Sequence, residues 1–230
     1  MNYLNKPLNT DKLLLKNRLI MPPMATAKSG ADGKVSEEIL EYYDEKSKGG
    51  YISLIIIEHS FVSQQGKASS NQMSIAQESM VGELKRLAET IHKNGCKTIM
   101  QINHAGSAAN TEVTGMEIVG PSAAPNPFGT GMTPRELQKN EIGAIVNEFK
   151  EAAIRVKNAG FDGVEIHSAH GYLLNQFLSP ITNKREDEYG GDITGRIKIH
   201  KDIVKSVREA VGESFPIFMR LGAADYMDGG

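Results

Sequence analysis

Gly163-Val164-Glu165-Ile166-His167-Ser168-Ala169-His170-Gly171-Tyr172 is the stretch on which the fold turns. Successive side chains of a strand alternate between faces, so Glu165 and His167 share one face while Val164 and Ile166 share the other. Branched apolar residues on one side and ionisable residues near the carboxyl end of the other suit a parallel sheet with helices outside and a ligand site at the strand ends. On a straight strand His167 and His170 point apart. They converge only if the chain turns just after the strand, and Gly171 eases such a turn.

Working outward, the same pattern recurs. Short apolar runs at 18–24, 51–59, 97–103 and 217–221 read as strands buried on both faces. Gln101 and Asn103 share a face of the third run, Arg220 shares a face with Phe218 in the last, and Glu58 closes the second. Between the runs lie helical stripes: Ile39, Leu40 and Tyr43 after Ser36; Val81, Leu84, Leu87, Ala88 and Ile91; Ile142, Ile145, Val146, Phe149, Ala153 and Val156; and Ile199, Ile203, Val207 and Val211. Thr133, Pro134 and Glu136 form a helix-start signal, with a capping hydroxyl, proline at the first helical position and an acid three residues on. Residues 3–19 read as a hairpin flooring the sheet.

Alternating strands and helices place the chain in the α/β class with a parallel sheet. An open doubly wound sheet and a closed barrel both satisfy this alternation. A dinucleotide-binding open sheet would carry a G-x-G-x-x-G turn after its first strand. Pro22-Pro23-Met24-Ala25 stands there instead, which counts against it.

The chain has 230 residues, 26 basic and 28 acidic side chains and a formal net charge of −2. One domain is expected, and no basic surface implies a nucleic-acid partner. No apolar run approaches the ~18 residues of a membrane span, and the first residues do not read as a signal peptide. The single cysteine, Cys96, excludes an internal disulfide and fits a cytoplasmic location; it reads as a small buried hydrophobe rather than a reactive thiol.

The segment from His167 to Tyr172 carries the chemistry. Two imidazole N–H groups side by side can hold one carbonyl oxygen against developing negative charge, and a phenol nearby can supply a proton. That set suits activation of an unsaturated carbonyl. Two other readings stand beside it. The histidines could ligate a metal together with Glu58, His59 or His104, as in hydrolytic barrels, or they could be satisfied core residues. Glu165 could equally form an internal pair with Arg220.

At this segment the chain resembles the Old Yellow Enzyme family of FMN-dependent NAD(P)H oxidoreductases. The resemblance starts at Lys16-Asn17-Arg18-Leu19-Ile20-Met21-Pro22-Pro23-Met24 and continues through Gln101-Ile102-Asn103-His104-Ala105-Gly106 and Gly120-Pro121-Ser122. It is strongest from Ala159-Gly160-Phe161-Asp162 through Glu165-Ile166-His167, His170-Gly171-Tyr172-Leu173 and Phe177-Leu178-Ser179-Pro180. It runs on through Asn183, Arg185, Asp187, Tyr189-Gly190-Gly191 and Arg196 to Arg220 and Asp225-Tyr226. It implies a (β/α)8 TIM barrel, of which the first five or so strands are present, with residues 1–230 forming one FMN-binding domain cut short on its C-terminal side.

The resemblance further implies FMN at the carboxyl rim and NAD(P)H as reductant. Pro22, Pro23, Met24 and Ala25 would approach the flavin ring, Gln101 its pyrimidine edge, and Arg220 its N1/O2 side. His59 would sit beside the flavin where a small residue is usual. His167 and His170 would hold the substrate carbonyl and Tyr172 would be the proton donor. No resident metal is implied. The implied partners are a small enone or enoyl substrate and a second copy of the chain.

Departures fall at Ala25, where relatives often carry Cys or Thr; at Ala27, in place of a Tyr; at Ser107, in place of an Arg; and at Gly195, in place of an Asn. The stretch from Gln176 to Arg185 leans toward the dienoyl-CoA reductase branch. A full barrel takes ~250 residues and often builds its phosphate site after strands 7 and 8, so the FMN phosphate anchors are expected beyond Gly230. A catalytically inactive fragment of such an enzyme is therefore the alternative expectation.

Overall fold

The computed structural model describes residues 3–129 and 131–230. Strand β1 (Leu8–Asn9) pairs antiparallel with β2 (Leu14–Leu15), as the hairpin reading expects. Then come β3 (Ile20–Met21), α1 (Glu37–Ser47), β4 (Leu54–Phe61), α2 (Val81–His92) and β5 (Lys97–Asn103). A long excursion follows, holding α3 (Thr111–Thr114), β6 (Val119–Gly120) and β7 (Arg135–Glu136). The chain returns through α4 (Lys139–Asn158) to β8 (Gly163–Ser168), α5 (Leu173–Leu178), α6 (Ile193–Arg196), α7 (Lys198–Val211) and β9 (Ile217–Leu221).

Five strands form one all-parallel sheet in the order β3-β4-β5-β8-β9, with consecutive strands adjacent. That order is the winding of a barrel wall; a doubly wound sheet would reverse direction at a switch point. The outward faces of the strands, with Ile55, Ile57, Met100, Ile102, Val164 and Ile166, pack on the apolar stripes of α1, α2, α4 and α7. The inward faces pack Leu54, Ile56 and Ile99 on Leu13 and Leu15, with Phe218 alongside, so the hairpin closes the floor. Each fully buried Leu or Ile of these layers contributes about 1.5–3 kcal/mol. No helix among the described residues is long and apolar enough to cross a membrane.

Three local expectations are corrected. The first strand is two residues rather than seven. Pro22 and Pro23 lack the N–H that would continue the ladder. The second strand starts later and runs past Glu58 to Phe61, so Glu58 lies within it. The helix signal at Thr133-Pro134 is overridden. Arg135 and Glu136 are extended and pair with Val119 and Gly120. The Arg135 guanidinium reaches the Glu141 carboxylate (2.7 and 2.9 Å) and Glu117 (2.7 Å), which holds the segment straight. The helix begins at Lys139, where the Gln138 N–H donates to Glu141 Oε2 at 2.7 Å.

Candidate active site

The inward face of the sheet changes character from floor to rim. Above the aliphatic floor, Gln101 and Glu165 stand opposite each other on neighbouring strands, and Gln101 Nε2 donates to Glu165 Oε1 at 2.7 Å. One residue pair higher, His167 stands opposite Arg220. Burial raises the Glu165 carboxyl above its ordinary range, against the opposing pull of Gln101 and Arg220. The internal pair with Arg220 weighed for Glu165 is not formed among the described residues; its carboxylate accepts from Gln101 instead. Among the described residues the half-buried Arg220 guanidinium enters no hydrogen bond or ion pair.

The chain turns sharply after β8. His170 and Gly171 both adopt left-handed backbone, with φ of 59° and 70°. A non-glycine residue held there costs about 1–2 kcal/mol and persists only where its surroundings over-determine it. Here they do. The Gly171 N–H donates to Asn175 Oδ1 (2.8 Å), and its carbonyl accepts from Asn126 Nδ2 (2.9 Å) and Gln176 Nε2 (2.6 Å). The turn folds the exposed His170 ring back, so that His170 Nδ1 lies 3.1 Å from Nε2 of the buried His167. The Tyr172 ring comes to 5.0 Å from that of His167. The convergence expected of this triplet thus occurs, and His170 contributes to the turn as well as Gly171.

His167 Nδ1 accepts the Ala169 N–H at 3.1 Å, which leaves the proton of a neutral ring on Nε2, facing the rim. Burial holds His167 down to about 3, helped by the positive neighbourhood of His59, His170 and Arg220. Burial also lowers His59, to about 4, and His170. Near neutral pH these rings are therefore single-proton hydrogen-bond donors rather than imidazolium acids. Burial raises the Tyr172 phenol, which stays protonated in the same range.

Residues 22–25 lie outside the sheet at the same end, with Met24 55% exposed. The segment is tethered one residue on: the Thr26 N–H and hydroxyl donate to Glu58 at 2.8 and 2.7 Å. A planar ligand with a polar, electron-rich edge fits this donor set. Gln101 and Arg220 are the residues that could offer hydrogen-bond and charge complementarity to such an edge. The metal reading finds Glu58 engaged by Thr26 and His104 Nδ1 engaged by the Gly106 N–H at 3.0 Å. Among the described residues no three His, Cys, Asp or Glu side chains converge on a common point.

Some residues of the resemblance serve architecture. The Arg185 side chain, 4% exposed, donates to the carbonyls of Pro121 and Leu137 (2.8 and 2.7 Å) and grips Asp187 (2.9 and 2.6 Å), tying the excursion to the loop after α5. Gly195 admits no larger residue as the loop stands, because a Cβ there would run into the Gly190 carbonyl. Sequence reasoning missed Asn126, Asn175 and Gln176, whose amides hold the turn after β8. The signal available was two adjacent carboxamides in a short helix directly after the turn.

Residues 3–230 match the family model described as the NADH:flavin oxidoreductase / NADH oxidase family. The chain is 43% identical over 220 residues to an NADH oxidase of Thermoanaerobacter brockii, covering 95% of this chain and 34% of that protein. It is 41% identical over 217 residues to an NADPH dehydrogenase of Clostridium acetobutylicum, covering 94% and 63%. Among solved structures, a 2-naphthoyl-CoA reductase in complex with 2-naphthoyl-CoA superposes with a TM-score of 0.94 at 31% identity, over 99% of this chain and 36% of that one. An old yellow enzyme homologue from Zymomonas mobilis gives 0.87 at 32%, over 95% and 62%. The chain therefore spans from about a third to under two thirds of the length of these relatives. Its five-stranded sheet corresponds to five of the eight strands of their (β/α)8 barrel. The order of the strands, the turn that joins His167 to Tyr172 and a family match across nearly the whole chain agree: it belongs to the NADH:flavin oxidoreductase / NADH oxidase family.

Proposed function

We propose that this chain carries the ring-binding and substrate-activating half of an FMN-dependent oxidoreductase that reduces the activated C=C bond of an unsaturated carbonyl compound at the expense of NAD(P)H. The observation that carries the reading is the rim itself: His167, His170 and the Tyr172 ring come together just after β8, with Arg220, unpaired among the described residues, opposite His167 on the next strand. Gln101, Arg220 and the backbone of residues 22–25 would hold the flavin ring. When bound, FMN supplies the hydride chemistry, filled from NAD(P)H and emptied onto the substrate β-carbon.

The chain's own residues do the rest. His167 Nε2–H donates to the substrate carbonyl oxygen and stabilises the charge that gathers there as the β-carbon is reduced. In the structure this N–H faces His170 Nδ1. The exposed His170 ring swings aside to admit the oxygen and turns its own N–H toward it. Tyr172 gives its phenolic proton to the α-carbon. Likeness to a protein acting on an aryl-CoA thioester supports an enoyl thioester as one substrate form, beside simple enones.

The test is anaerobic rapid mixing of the FMN-loaded protein, first with NADH or NADPH and then with cyclohexenone or crotonyl-CoA, following flavin absorbance. His167→Ala and Tyr172→Phe are expected to slow reoxidation by the alkene by about 10²-fold or more. Unimpaired reoxidation in both variants would refute the reading. A second reading rests on the open edge at β9, where Phe218, Arg220 and the 59% exposed Leu221 pair with β8 but have no strand on their other side among the described residues. On that reading residues 1–230 expressed alone fold but do not retain FMN after desalting.

A further inference from the structure

His59 contacts the candidate site through an irregularity in β4. The β4–β5 register places Ile57 opposite Met100 and Ser60 opposite Ile102, so Glu58 and His59 share the single partner Gln101. Such a bulge breaks strict alternation and re-aims a side chain. The two consecutive residues part. The Glu58 carboxylate goes to Thr26, while the His59 ring stacks on Tyr172, with centroids 5.5 Å apart and planes 19° apart. His59 Nε2 lies 3.1 Å from Tyr172 Oη, across 113 residues of sequence. The His59 carbonyl accepts from Gln72 Nε2 at 3.2 Å, and the same amide donates to Asn103 Oδ1 at 2.7 Å, so the bulge is braced from behind. A small residue at 59, as the resemblance leads one to expect, could make neither the stack nor the bond.

We infer that His59 is the positioning residue for Tyr172: it holds the phenol at the rim and donates its Nε2–H to Tyr172 Oη, so that the phenolic proton is free to face the substrate. The inference rests on the reading of Tyr172 as proton donor. The step balances simply. The Tyr172 O–H bond breaks and a C–H bond forms at the α-carbon while hydride reaches the β-carbon. The phenolate left behind is stabilised by His59 Nε2–H and recovers a proton from water. The opposite tautomer, with Nε2 accepting the phenolic proton, would bind that proton away from the substrate.

The experiment has two parts on the FMN-loaded protein. In the wild type, ¹⁵N NMR of the histidine rings, with the His59 signal identified by its loss in His59→Phe, reads the tautomer directly. A protonated Nε2 is expected, and a protonated Nδ1 with bare Nε2 overturns the inference. In rapid-mixing kinetics, His59→Phe keeps an aromatic ring and loses the donor. The ratio of alkene reoxidation to flavin reduction rates should fall on the order of tenfold, the worth of one hydrogen bond to a developing phenolate. The alkaline limb of the reoxidation pH profile should move upward, and His59→Gln should recover part of both effects. If Tyr172→Phe is impaired but His59→Phe is not, the inference fails while the function stands. If Tyr172→Phe is itself unimpaired, the reading of Tyr172 as proton donor falls and the inference falls with it.

Discussion

Gly171→Ala isolates what the turn after β8 is worth. Gly171 has φ +70°, and a Cβ there would lie 2.5 Å from Cβ and 3.2 Å from Cγ of Phe128. The left-handed backbone costs alanine about 1 kcal/mol relative to glycine. The overlap with Phe128 must be relieved by moving one segment or the other, at about 1–3 kcal/mol. The peptide cannot drift freely, because Asn126, Asn175 and Gln176 all bond to it. The sum is a loss of about 2–4 kcal/mol, measured by urea denaturation at neutral pH. The same displacement pulls the His170 ring from its 3.1 Å contact with His167, so alkene reduction falls in the same variant. Gly143→Ala is the internal control. It lies on the exposed face of α4 with nothing within 4 Å of the added methyl, and it should gain about 0.5–1 kcal/mol. Stability of Gly171→Ala within about 0.5 kcal/mol of wild type would refute the account of the turn.

Two further outcomes follow from other parts of the molecule. Arg220→Ala removes the unpartnered guanidinium from the rim, and more FMN should pass through an ultrafilter than with wild type; equal retention would remove Arg220 from the flavin site. Asp162 accepts from His92 Nε2 (2.7 Å), Lys97 Nζ (2.7 Å) and the Thr98 N–H (2.9 Å) at the floor end of the sheet. Burial pushes its carboxyl up, but those donors prevail and hold it below the ordinary 3.8. A depressed carboxyl stabilises the fold above its unfolded pKa and loses that effect as pH falls through the lower folded value. Asp162→Asn should therefore cost about 1–2 kcal/mol at neutral pH, with the gap to wild type closing as pH falls below the ordinary carboxylate range. A gap independent of pH would show that the carboxylate charge contributes nothing.

Much of this architecture is local and so legible in the chain. The apolar runs at 97–103 and 217–221 coincide with β5 and β9, because buried strands need continuous branched residues whatever surrounds them. The stripes ending at Ile91, Val156 and Val211 are helices, since one face of each must meet the sheet. Ser36 caps α1, with its hydroxyl accepting from the Ile39 N–H at 3.1 Å. The alternation that put Glu165, His167, Gln101 and Arg220 inward is a property of the strand itself.

What tertiary structure decided is everything that depends on a partner distant in sequence. Thr133-Pro134 carries a sound helix signal, yet Val119 and Gly120 offer Arg135 and Glu136 a ladder, and two carboxylates hold the guanidinium that straightens them. The sequence offered Arg220 as a partner for Glu165, and the side-chain geometry chose Gln101 on the other flanking strand. His59 gave no sign of facing Tyr172. Its orientation comes from one extra residue in β4 measured against β5, a difference of register that neither strand carries alone. Periodicity fixes which face a side chain takes; only pairing between strands determines its height on that face, and the chemistry at the rim depends on height.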